Sequence, residues 1–319
     1  MNQIAILYNP SSGQGRSLKQ KRKIEHYLTS HGVDYRLFVT ASEAHLRELA
    51  AQTAQTYPVV VGVGGDTTFN IIAAEILNLC PQPIMGMIGT GSANDIVRGL
   101  GIKDITEACR AITAWNVKKM DVGYLKIIEE NGNTRHQFFL GTVSAGLGTT
   151  VNLHVAEAQQ RRSVLSRINP FSRLLSGLQG IRRSFDRPDF PLTAKITTND
   201  PRSGHPVEIK VPFSLLVFLN TPYYADGLKL TVGPANTALF DGQLDCCAIH
   251  TSSFFHTIKV GLKVIRGIHN HQKEVTLLQA PMFKVFPRNP IDIQVDGEII
   301  PQIRHFEVSI VPGMLKVLL

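Results

Sequence analysis

The stretch Val59-Val60-Val61-Gly62-Val63-Gly64-Gly65-Asp66-Thr67-Thr68-Phe69-Asn70 decides the fold of this chain. Five mostly β-branched residues run into two glycines, an aspartate and two threonines, and an apolar helical pattern follows over 71–77. This order predicts a buried strand, a tight loop and a helix. Because glycine has no Cβ, the backbone at Gly64 and Gly65 can turn sharply and lie close to a ligand.

The loop after this strand has the composition of an anion site. Its backbone N–H groups and the N-terminus of the next helix would face an anion, and a phosphate fits best. Asp66 sets a carboxylate beside that anion, where it is suited to hold Mg²⁺ directly or through water. The alternative is an ordinary strand-to-helix turn in which Asp66 caps the helix. The loop alone leaves both interpretations open.

Strands and helices alternate on both sides of this stretch. The alternation predicts a parallel sheet with helices on both faces, a Rossmann-like α/β domain. Ligands of such sheets bind beyond the carboxyl ends of the strands, so the three loops at 9–16, 64–68 and 89–94 should meet at one edge. The predicted strands are 3–8, 34–40, 59–63 and 83–88, and the predicted helices are 17–30, 42–56, about 71–77, a short one after 95, and 104–115.

The sequence pattern changes near Met120. Short strands separated by turn residues then predict an antiparallel β-sandwich. We therefore expect an α/β domain over 1–120 and a sandwich over 121–319, whose last residues may pair back with the first domain. The predicted strands are 124–128, 137–143, 190–198, 207–219, 228–232, 244–249, 274–279, 283–286, 292–295, 305–310 and 315–318.

The composition and net charge of the chain favour certain classes of binding partner. A net charge of +8 and an isoelectric point near 9.4 favour a nucleotide, acidic lipid headgroups or nucleic acid. No uncharged apolar run reaches the length of a membrane span, and the N-terminus lacks the pattern of a signal peptide. Four cysteines in 319 residues, two of them vicinal, do not form a disulfide framework. We therefore expect a cytoplasmic protein.

The segment 161–187 is the most basic part of the chain. Its arginines alternate with apolar residues, and Asp186 is the one acid inside it. A basic amphipathic helix can lie on an anionic membrane, and the alternative is a solvated helix that packs on the sandwich. The segment contains only two aromatic residues, which argues against nucleic acid. We expect peripheral association with the inner face of the membrane. The sequence does not decide between a monomer and a homodimer.

Six motifs in sequence resemble the bacterial diacylglycerol kinase catalytic family, which groups with sphingosine and ceramide kinases and more distantly with NAD kinases. The resemblance spans essentially the whole chain. The motifs are Asn9-Pro10-x-Ser12-Gly13, Gly64-Gly65-Asp66-x-Thr68-x-Asn70, Gly91-Ser92-x-Asn94-Asp95, Asn220-Thr221-x-Tyr223-Tyr224 with Pro234-Ala235, Asp241-Gly242-x-Leu244-Asp245 and Asp296-Gly297-Glu298.

The resemblance implies phosphorylation of a lipid hydroxyl that depends on ATP and Mg²⁺, at a site between the two domains. It assigns Glu298 as general base, with Asp66 as a second catalytic carboxylate. It assigns a structural Mg²⁺ site to Asp241 with the carbonyl groups of Ala238 and Gln243. The implied ATP-binding residues are Asn9, Pro10, Ser11, Ser12, Gly13, Thr40, Gly64, Gly65, Asp66, Thr67, Thr68, Phe69, Asn70 and Ser92.

Thr67 is the main departure from the family, which has a third glycine there. A β-branched residue disfavours positive φ and brings bulk towards the phosphates. The alternative function is therefore a nucleotide- or lipid-binding homologue that lost turnover through Thr67. The third motif also departs, with Gly89 in place of proline and Ser92 in place of threonine, but serine keeps the hydroxyl. The sequence does not name the acceptor lipid.

Overall fold

The computed structural model describes residues 3–80, 82–129, 131–151, 170–199, 205–231 and 238–319. Its N-terminal part alternates strands and helices, as the pattern predicts. The elements are β1 (Ile4–Tyr8), α1 (Arg16–Ser30), β2 (Tyr35–Val39), α2 (Glu43–Thr56), β3 (Val59–Gly64), α3 (Asp66–Leu77), β4 (Ile84–Gly89), α4 (Asp95–Gly99) and α5 (Ile105–Ala114).

These four strands form a parallel sheet in the order β2-β1-β3-β4. Helices α2 and α3 pack on one face through residues such as Leu46 and Ile72, and α1 and α5 pack on the other through residues such as Leu28 and Ile112. All six residues of β3 are buried, which is what an apolar strand between two helical layers requires. The predicted α/β domain is confirmed.

The C-terminal part is built from antiparallel strands. They are β5 (Val117–Ile128), β6 (Thr134–Phe139), β7 (Thr142–Gly146), β8 (Leu192–Asn199), β9 (Pro206–Phe213), β10 (Leu215–Leu219), β11 (Tyr223–Tyr224), β12 (Leu228–Lys229), β13 (Leu244–Ile249), β14 (Val275–Ala280), β15 (Met282–Pro287), β16 (Ile291–Val295), β17 (Glu298–Ile303) and β18 (Phe306–Leu318). Two helices accompany them, α6 (Pro170–Phe185) and α7 (Phe254–Ile265).

Two sheets share one core in this part. One runs β14-β13-β10-β7-β16-β17, and the other contains β18-β15-β8-β9 with β5 and β6. Their facing side chains, such as Phe218 and Phe283, meet in a single buried cluster. The predicted antiparallel sandwich is confirmed.

The two halves are joined by continuous strands. β5 runs through Met120 without a break, and β18 pairs with it antiparallel over most of its length. The far end of β18 lies parallel to β4, where Val317 pairs with Met85. The chain therefore fixes the orientation of its first sheet against the sandwich through backbone hydrogen bonds.

Several local predictions were wrong. The strand predicted over 207–219 is two strands, β9 and β10, which Ser214 separates, and the strands predicted over 305–310 and 315–318 are one strand, β18. Helix α3, predicted from about 71, begins at Asp66.

The single strand predicted over 137–143 is two strands, β6 and β7, because Leu140 and Gly141 leave the ladder to donate hydrogen bonds to Asp296. No element was predicted over 254–265, where α7 begins after Ser253, whose hydroxyl accepts from the backbone of His256.

The basic segment is only partly described. Residues 161–169 and the Pro234-Ala235 motif lie outside the described residues, whereas 170–185 form α6 with Arg182 and Arg183 exposed. Within the described ranges, no helix is both long and apolar enough to cross a membrane.

Candidate functional site

The three loops meet at the carboxyl edge of the parallel sheet. The Asn9 amide donates to Thr68 Oγ1 at 3.2 Å, and Arg16 Nη2 donates to the carbonyl of Gly91 at 3.1 Å. A Cβ placed on Gly91 would lie 2.5 Å from the Cα of Gly65, so these two backbones cross in direct contact. The meeting of loops that the alternation predicts is present.

The glycines of the central loop have a different role from the one expected. Neither Gly64 nor Gly65 has a positive φ. A Cβ on Gly64 would lie 2.3 Å from Thr68 Oγ1, and Gly65 lies against Gly91, so close packing requires both glycines. The left-handed glycines are in the first loop, where Gly13 has φ +61° and Gly15 has φ +83°. A Cβ placed on Gly13 would lie 2.2 Å from the carbonyl oxygen of Thr90.

Thr67 carries no backbone strain. It is the second residue of α3 and is absent from the positive-φ residues, so the expected conflict between a β-branched side chain and a left-handed backbone is wrong. Its side chain is exposed and lines a cleft that Glu298 also lines. Only the bulk of the threonine side chain distinguishes this loop from one with glycine.

The N-terminus of α3 is open to a ligand. Gly65 stands at the N-cap position and has no side chain with which to cap the helix. The neighbouring loop positions 10–13 and Ser92 are exposed or partly exposed beside it. An uncapped helix start next to exposed N–H groups and the Arg16 guanidinium fits a chain of phosphates.

Two residues of the implied nucleotide set are turned away from this edge. Phe69 is fully buried in the core, and its N–H donates to the carbonyl of Gly65, so neither group faces the loops; its assignment to the nucleotide stays a prediction. Thr40 is buried and its hydroxyl donates to the carbonyl of Tyr8 at 3.3 Å, which holds β2 against β1 at the sheet edge.

Asp66 is the first residue of α3, and its carboxylate caps the start of α4. Its carboxylate accepts from the backbone N–H of Asp95 at 3.1 Å and of Ile96 at 3.0 Å, which satisfies the start of α4. Burial raises the pKa of Asp66, and those backbone donors oppose the shift. Asp66 therefore joins the third loop to the central one and keeps a partly buried carboxylate beside the site.

Two further carboxyl groups approach Asp66. Burial, followed by the charge of Asp66, raises the pKa of Asp95 to about 6. Burial also raises the pKa of Asp296 to about 6, although the N–H groups of 140–142 donate to its carboxylate at 2.7–3.3 Å. The charge of Asp66 adds to the shift at Asp296, so three carboxyl groups from distant parts of the chain share one region.

This cluster makes stability depend on pH. A carboxyl group whose pKa is higher in the folded state contributes stability below its unfolded value, and that contribution is lost as pH rises through about 6. For Asp95→Asn in metal-free buffer, we expect the fall in unfolding free energy between pH 4.5 and 7.5 to be smaller by about 2 kcal/mol. Denaturant unfolding at both pH values measures it, with the exposed Asp189→Asn as control; equal slopes in wild type and Asp95→Asn would contradict it.

An apolar cavity of about 420 Å³ reaches this cluster. Asp66, Asn70, Asp95 and Asp296 line it together with Thr142. Most of the remaining lining is apolar and comes from the core between the sandwich and α7, with Ile181 added from α6. The other polar side chains in the lining are Thr221, Tyr223, Tyr224, Thr251, Thr257 and Gln294. These apolar residues include Leu147, Leu215, Leu228, Leu230, Ile249, Val260, Val264 and Ile265.

Glu298 lies in a second, larger cleft of about 1010 Å³. It is the first residue of β17, after a turn in which Asp296 and Gly297 both have positive φ, and its carboxylate accepts from Gln137 at 3.4 Å. Asn70, Asp296 and Gly297 line both the cleft and the apolar cavity. The two spaces therefore adjoin at Asn70.

Asn70 stands out at this junction. Both polar atoms of its amide are buried without a hydrogen-bond partner in the part of the chain that the structure describes. A buried amide without partners costs free energy, so such a group implies a ligand or water that the fold is built to receive. The amide offers one acceptor and two donor hydrogens at the point where the two spaces adjoin.

The implied metal site is in the turn just before β13. Asp241 is exposed in a turn where its carboxylate accepts from the N–H of Gln243 at 2.9 Å. Although the residue is exposed overall, partial desolvation of its carboxyl group raises the pKa of Asp241, and the charge of Asp121 raises it further. Asp121 accepts from Gly242 and Gly313, both at 2.7 Å, so two carboxylates share this turn.

Sequence reasoning missed α7, Asp95 and Asp296 as parts of the site. The signal for α7 was available, since Ser252-Ser253 precede apolar residues at helical spacing. Asp95 and Asp296 stood in quoted motifs, but their approach to Asp66 depends on contacts across about 30 and 230 residues.

Comparison with known proteins gives two family matches in tandem. Residues 3–125 match the diacylglycerol kinase catalytic domain, and residues 141–319 match the YegS C-terminal NAD kinase beta sandwich-like domain. The chain is 21% identical to the diacylglycerol kinase of Bacillus subtilis (strain 168) over 308 residues, 93% of this chain and 90% of that one. It is 23% identical to the diacylglycerol kinase of Staphylococcus saprophyticus over 295 residues, covering 92% and 88%.

A solved structure has the same fold. The crystal structure of a diacylglycerol kinase from Bacillus anthracis str. Sterne superimposes with a TM-score of 0.66 at 17% identity. The match covers 99% of this chain and 96% of that one. Both domains and their order are therefore shared.

Proposed function

Because this chain belongs to the diacylglycerol kinase family, we propose that it transfers the terminal phosphoryl group of ATP to a hydroxyl group of a membrane lipid, with Mg²⁺. The observation that carries the proposal is the apolar cavity that ends among carboxyl groups beside a glycine-lined anion site. An acyl chain fits the apolar part, and a hydroxyl group fits the polar end.

The phosphate donor belongs on the loop edge. The uncapped start of α3, the close backbone contact of Gly65 with Gly91 and the cation of Arg16 together offer a cradle for the phosphates. Phosphoryl transfer needs positioning and charge neutralisation more than covalent help from the protein. The exposed face of Thr67 borders this cradle and the cleft with Glu298.

The acceptor hydroxyl would lie where the cavity and the cleft adjoin. There the free amide of Asn70 can hold the hydroxyl or a phosphate oxygen. Glu298, exposed in the cleft, is assigned the role of general base. Asp66 is tied to α4 by two backbone donors, so we assign it to holding the loop and orienting the reacting groups.

Mg²⁺ fits the Asp241 turn on its chemistry. Two carboxylates lie close together there, and their mutual repulsion is the kind that a hard cation relieves with carbonyl oxygens as further ligands. Asp241 with the carbonyl groups of Ala238 and Gln243 would hold it. Within the described residues, no group of three or more His, Cys, Asp and Glu side chains is placed to hold a metal ion together, so backbone oxygens would have to complete the site.

We expect Mg²⁺ to raise the melting temperature of the wild type by about 2–4 °C at tenfold excess over its dissociation constant, because a bound cation stabilises the native state by roughly 1.4 kcal/mol. Asp241→Asn should lose most of this response, and Asp189→Asn should keep it. Thermal melts with Mg²⁺ and with chelator measure the effect. A wild type that melts at the same temperature in both would remove the site.

The function is tested by transfer of labelled phosphate from ATP to lipid alcohols in mixed micelles. The panel contains diacylglycerol, a sphingoid base, ceramide, a polyprenol and phosphatidylglycerol. We expect transfer to at least one of them and ATP binding in the micromolar to low millimolar range. No transfer to any of them, together with no ATP binding at several millimolar, would place the chain with the non-catalytic homologues.

A further inference from the structure

Helix α7 and the turn after it carry an exposed apolar strip. Phe255 is 81% exposed, Leu262 49%, Ile265 67% and Ile268 53%. The other large exposed apolar side chains of the described residues are scattered over the N-terminal half, at Leu18, Val39, Trp115 and Val117. An apolar strip of this kind on one helix marks an interaction site rather than ordinary surface.

The strip is continuous with the mouth of the apolar cavity. At 3.6 residues per turn, Phe255, Leu262 and Ile265 lie within an arc of about 80° on α7. Thr257, Val260, Gly261 and Val264 line the cavity on the inner face of the same helix. Ile265 belongs to both sets, because it lines the cavity and is 67% exposed. The cavity therefore opens along the edge of the exposed strip.

Cations border the other side of the strip. Lys259 and Arg266 are exposed and follow Phe255 around the helix. The sequence from 246 to 290 contains six Lys and Arg residues and a single acid, Glu274. That acid bonds to His256 at 3.3 Å, so its charge faces a partner on α7 itself. The outer face of α7 therefore has an apolar strip with a cationic border beside it.

We propose that α7 docks on a bilayer that contains anionic lipid. Phe255, Leu262 and Ile268 enter the interface, and Lys259 and Arg266 lie at the lipid phosphates. An amphipathic helix with this arrangement binds in the plane of the interface. The cavity mouth at Ile265 then faces the acyl chains, so the acceptor lipid enters the cavity without crossing water. This entry route rests on the proposed function, whereas the docking does not.

A second copy of this chain is a poorer occupant of the strip. A twofold contact would place α7 against itself and bring the Lys259 and Arg266 side chains of both copies together. Like charges facing each other across an interface disfavour association. A bilayer with anionic headgroups instead complements both the apolar strip and its cationic border.

The test is flotation of the purified full chain with vesicles, without ATP. The vesicles contain phosphatidylcholine alone or with roughly 30 mol % phosphatidylglycerol, at low salt. We expect at least about tenfold stronger binding to the anionic vesicles. The double variant Phe255→Ser with Leu262→Ser should bind these vesicles at least about 30-fold more weakly than the wild type. Leu18→Ser, a comparably exposed apolar residue in α1, should bind like the wild type.

A charge variant separates the two contributions. Lys259→Gln with Arg266→Gln should bind anionic vesicles about 25-fold more weakly, with a flatter dependence on salt. Wild-type binding by either double variant would overturn the proposal. So would a wild-type dimer that becomes monomeric in the Phe255 and Leu262 variant while vesicle binding is unchanged, since the strip would then be a contact between copies.

The same variants distinguish docking from catalysis. Phe255 and Leu262 do not line the cavity, so their double variant should keep wild-type turnover of a water-soluble short-chain acceptor. Loss of vesicle binding with retained turnover supports the docking surface. If no acceptor is turned over by any form, the flotation result still decides the docking, and only the entry route falls with the proposed function.

Discussion

Glu298→Gln should lower kcat for phosphoryl transfer to a lipid acceptor by about 10²–10⁴-fold while ATP binding and the melting temperature stay close to wild type. Glutamine keeps the shape of the side chain and removes the site that accepts the proton of the hydroxyl. Glu298 is exposed and makes one long hydrogen bond, to Gln137, so the change should not disturb the fold. Initial rates at saturating ATP and lipid measure the effect.

Two variants make this result specific. Glu43→Gln removes another carboxylate from the same cleft and should change kcat less than about threefold, because Glu43 is not next to the cavity. Asp66→Asn should lower both activity and melting temperature, since its carboxylate caps α4. If Glu298→Gln turns over like the wild type, the base is elsewhere, and Asp66 becomes the carboxylate to test.

Gly261→Phe should lower kcat/KM for a long-chain lipid acceptor by about 100-fold. The phenyl ring would take the cavity space of about four methylene groups of the acyl chain, whose apolar contact is worth roughly 3 kcal/mol at ~0.8 kcal/mol each. Gly261 lies on the inner face of α7 and lines the cavity. No heavy atom of the described chain lies within 4 Å of a Cβ built there, so phenylalanine can enter the empty space without a clash at the backbone. ATP affinity should not change.

The matched control is Gly261→Ala. Alanine fills almost none of the cavity and should raise helix stability by about 1 kcal/mol, so it should keep acceptor kinetics while the protein melts at a higher temperature. A series of acceptors with shorter chains should recover turnover in the phenylalanine variant. Wild-type kcat/KM for long-chain acceptors in Gly261→Phe would show that the acyl chain does not occupy this cavity.

The sequence by itself determined the two-part architecture and the meeting of the three loops. Both depend on local patterns: an apolar β3 that runs into Gly64-Gly65, and strands that alternate with amphipathic helices. The carboxyl edge of a parallel sheet then brings loops together whatever the side chains are. The motif order was enough to identify the family, because each motif keeps its spacing within one turn or strand.

Local patterns did not determine the conformation inside the loops. The conflict expected at Thr67 assumed a left-handed backbone, but the residue is already inside α3, where a β-branched side chain is tolerated. Phe69 was assigned to the ligand because of its position, yet its side chain faces the core. Because α3 begins at Asp66 rather than near 71, the residues 67–70 are helical and not in a loop, and sequence patterns rarely fix a helix boundary closely.

Only the tertiary structure decided the chemistry of the site. The cavity needs α7, the sandwich and the junction with the first domain, and no one of these encloses it alone. The raised pKa values of Asp95 and Asp296 come from burial and from the charge of Asp66, which acts on Asp95 once the first domain has folded and on Asp296 only after the two domains are joined. Burial and charge proximity are properties of packed space, so they follow from contacts between distant residues rather than from spacing along the chain.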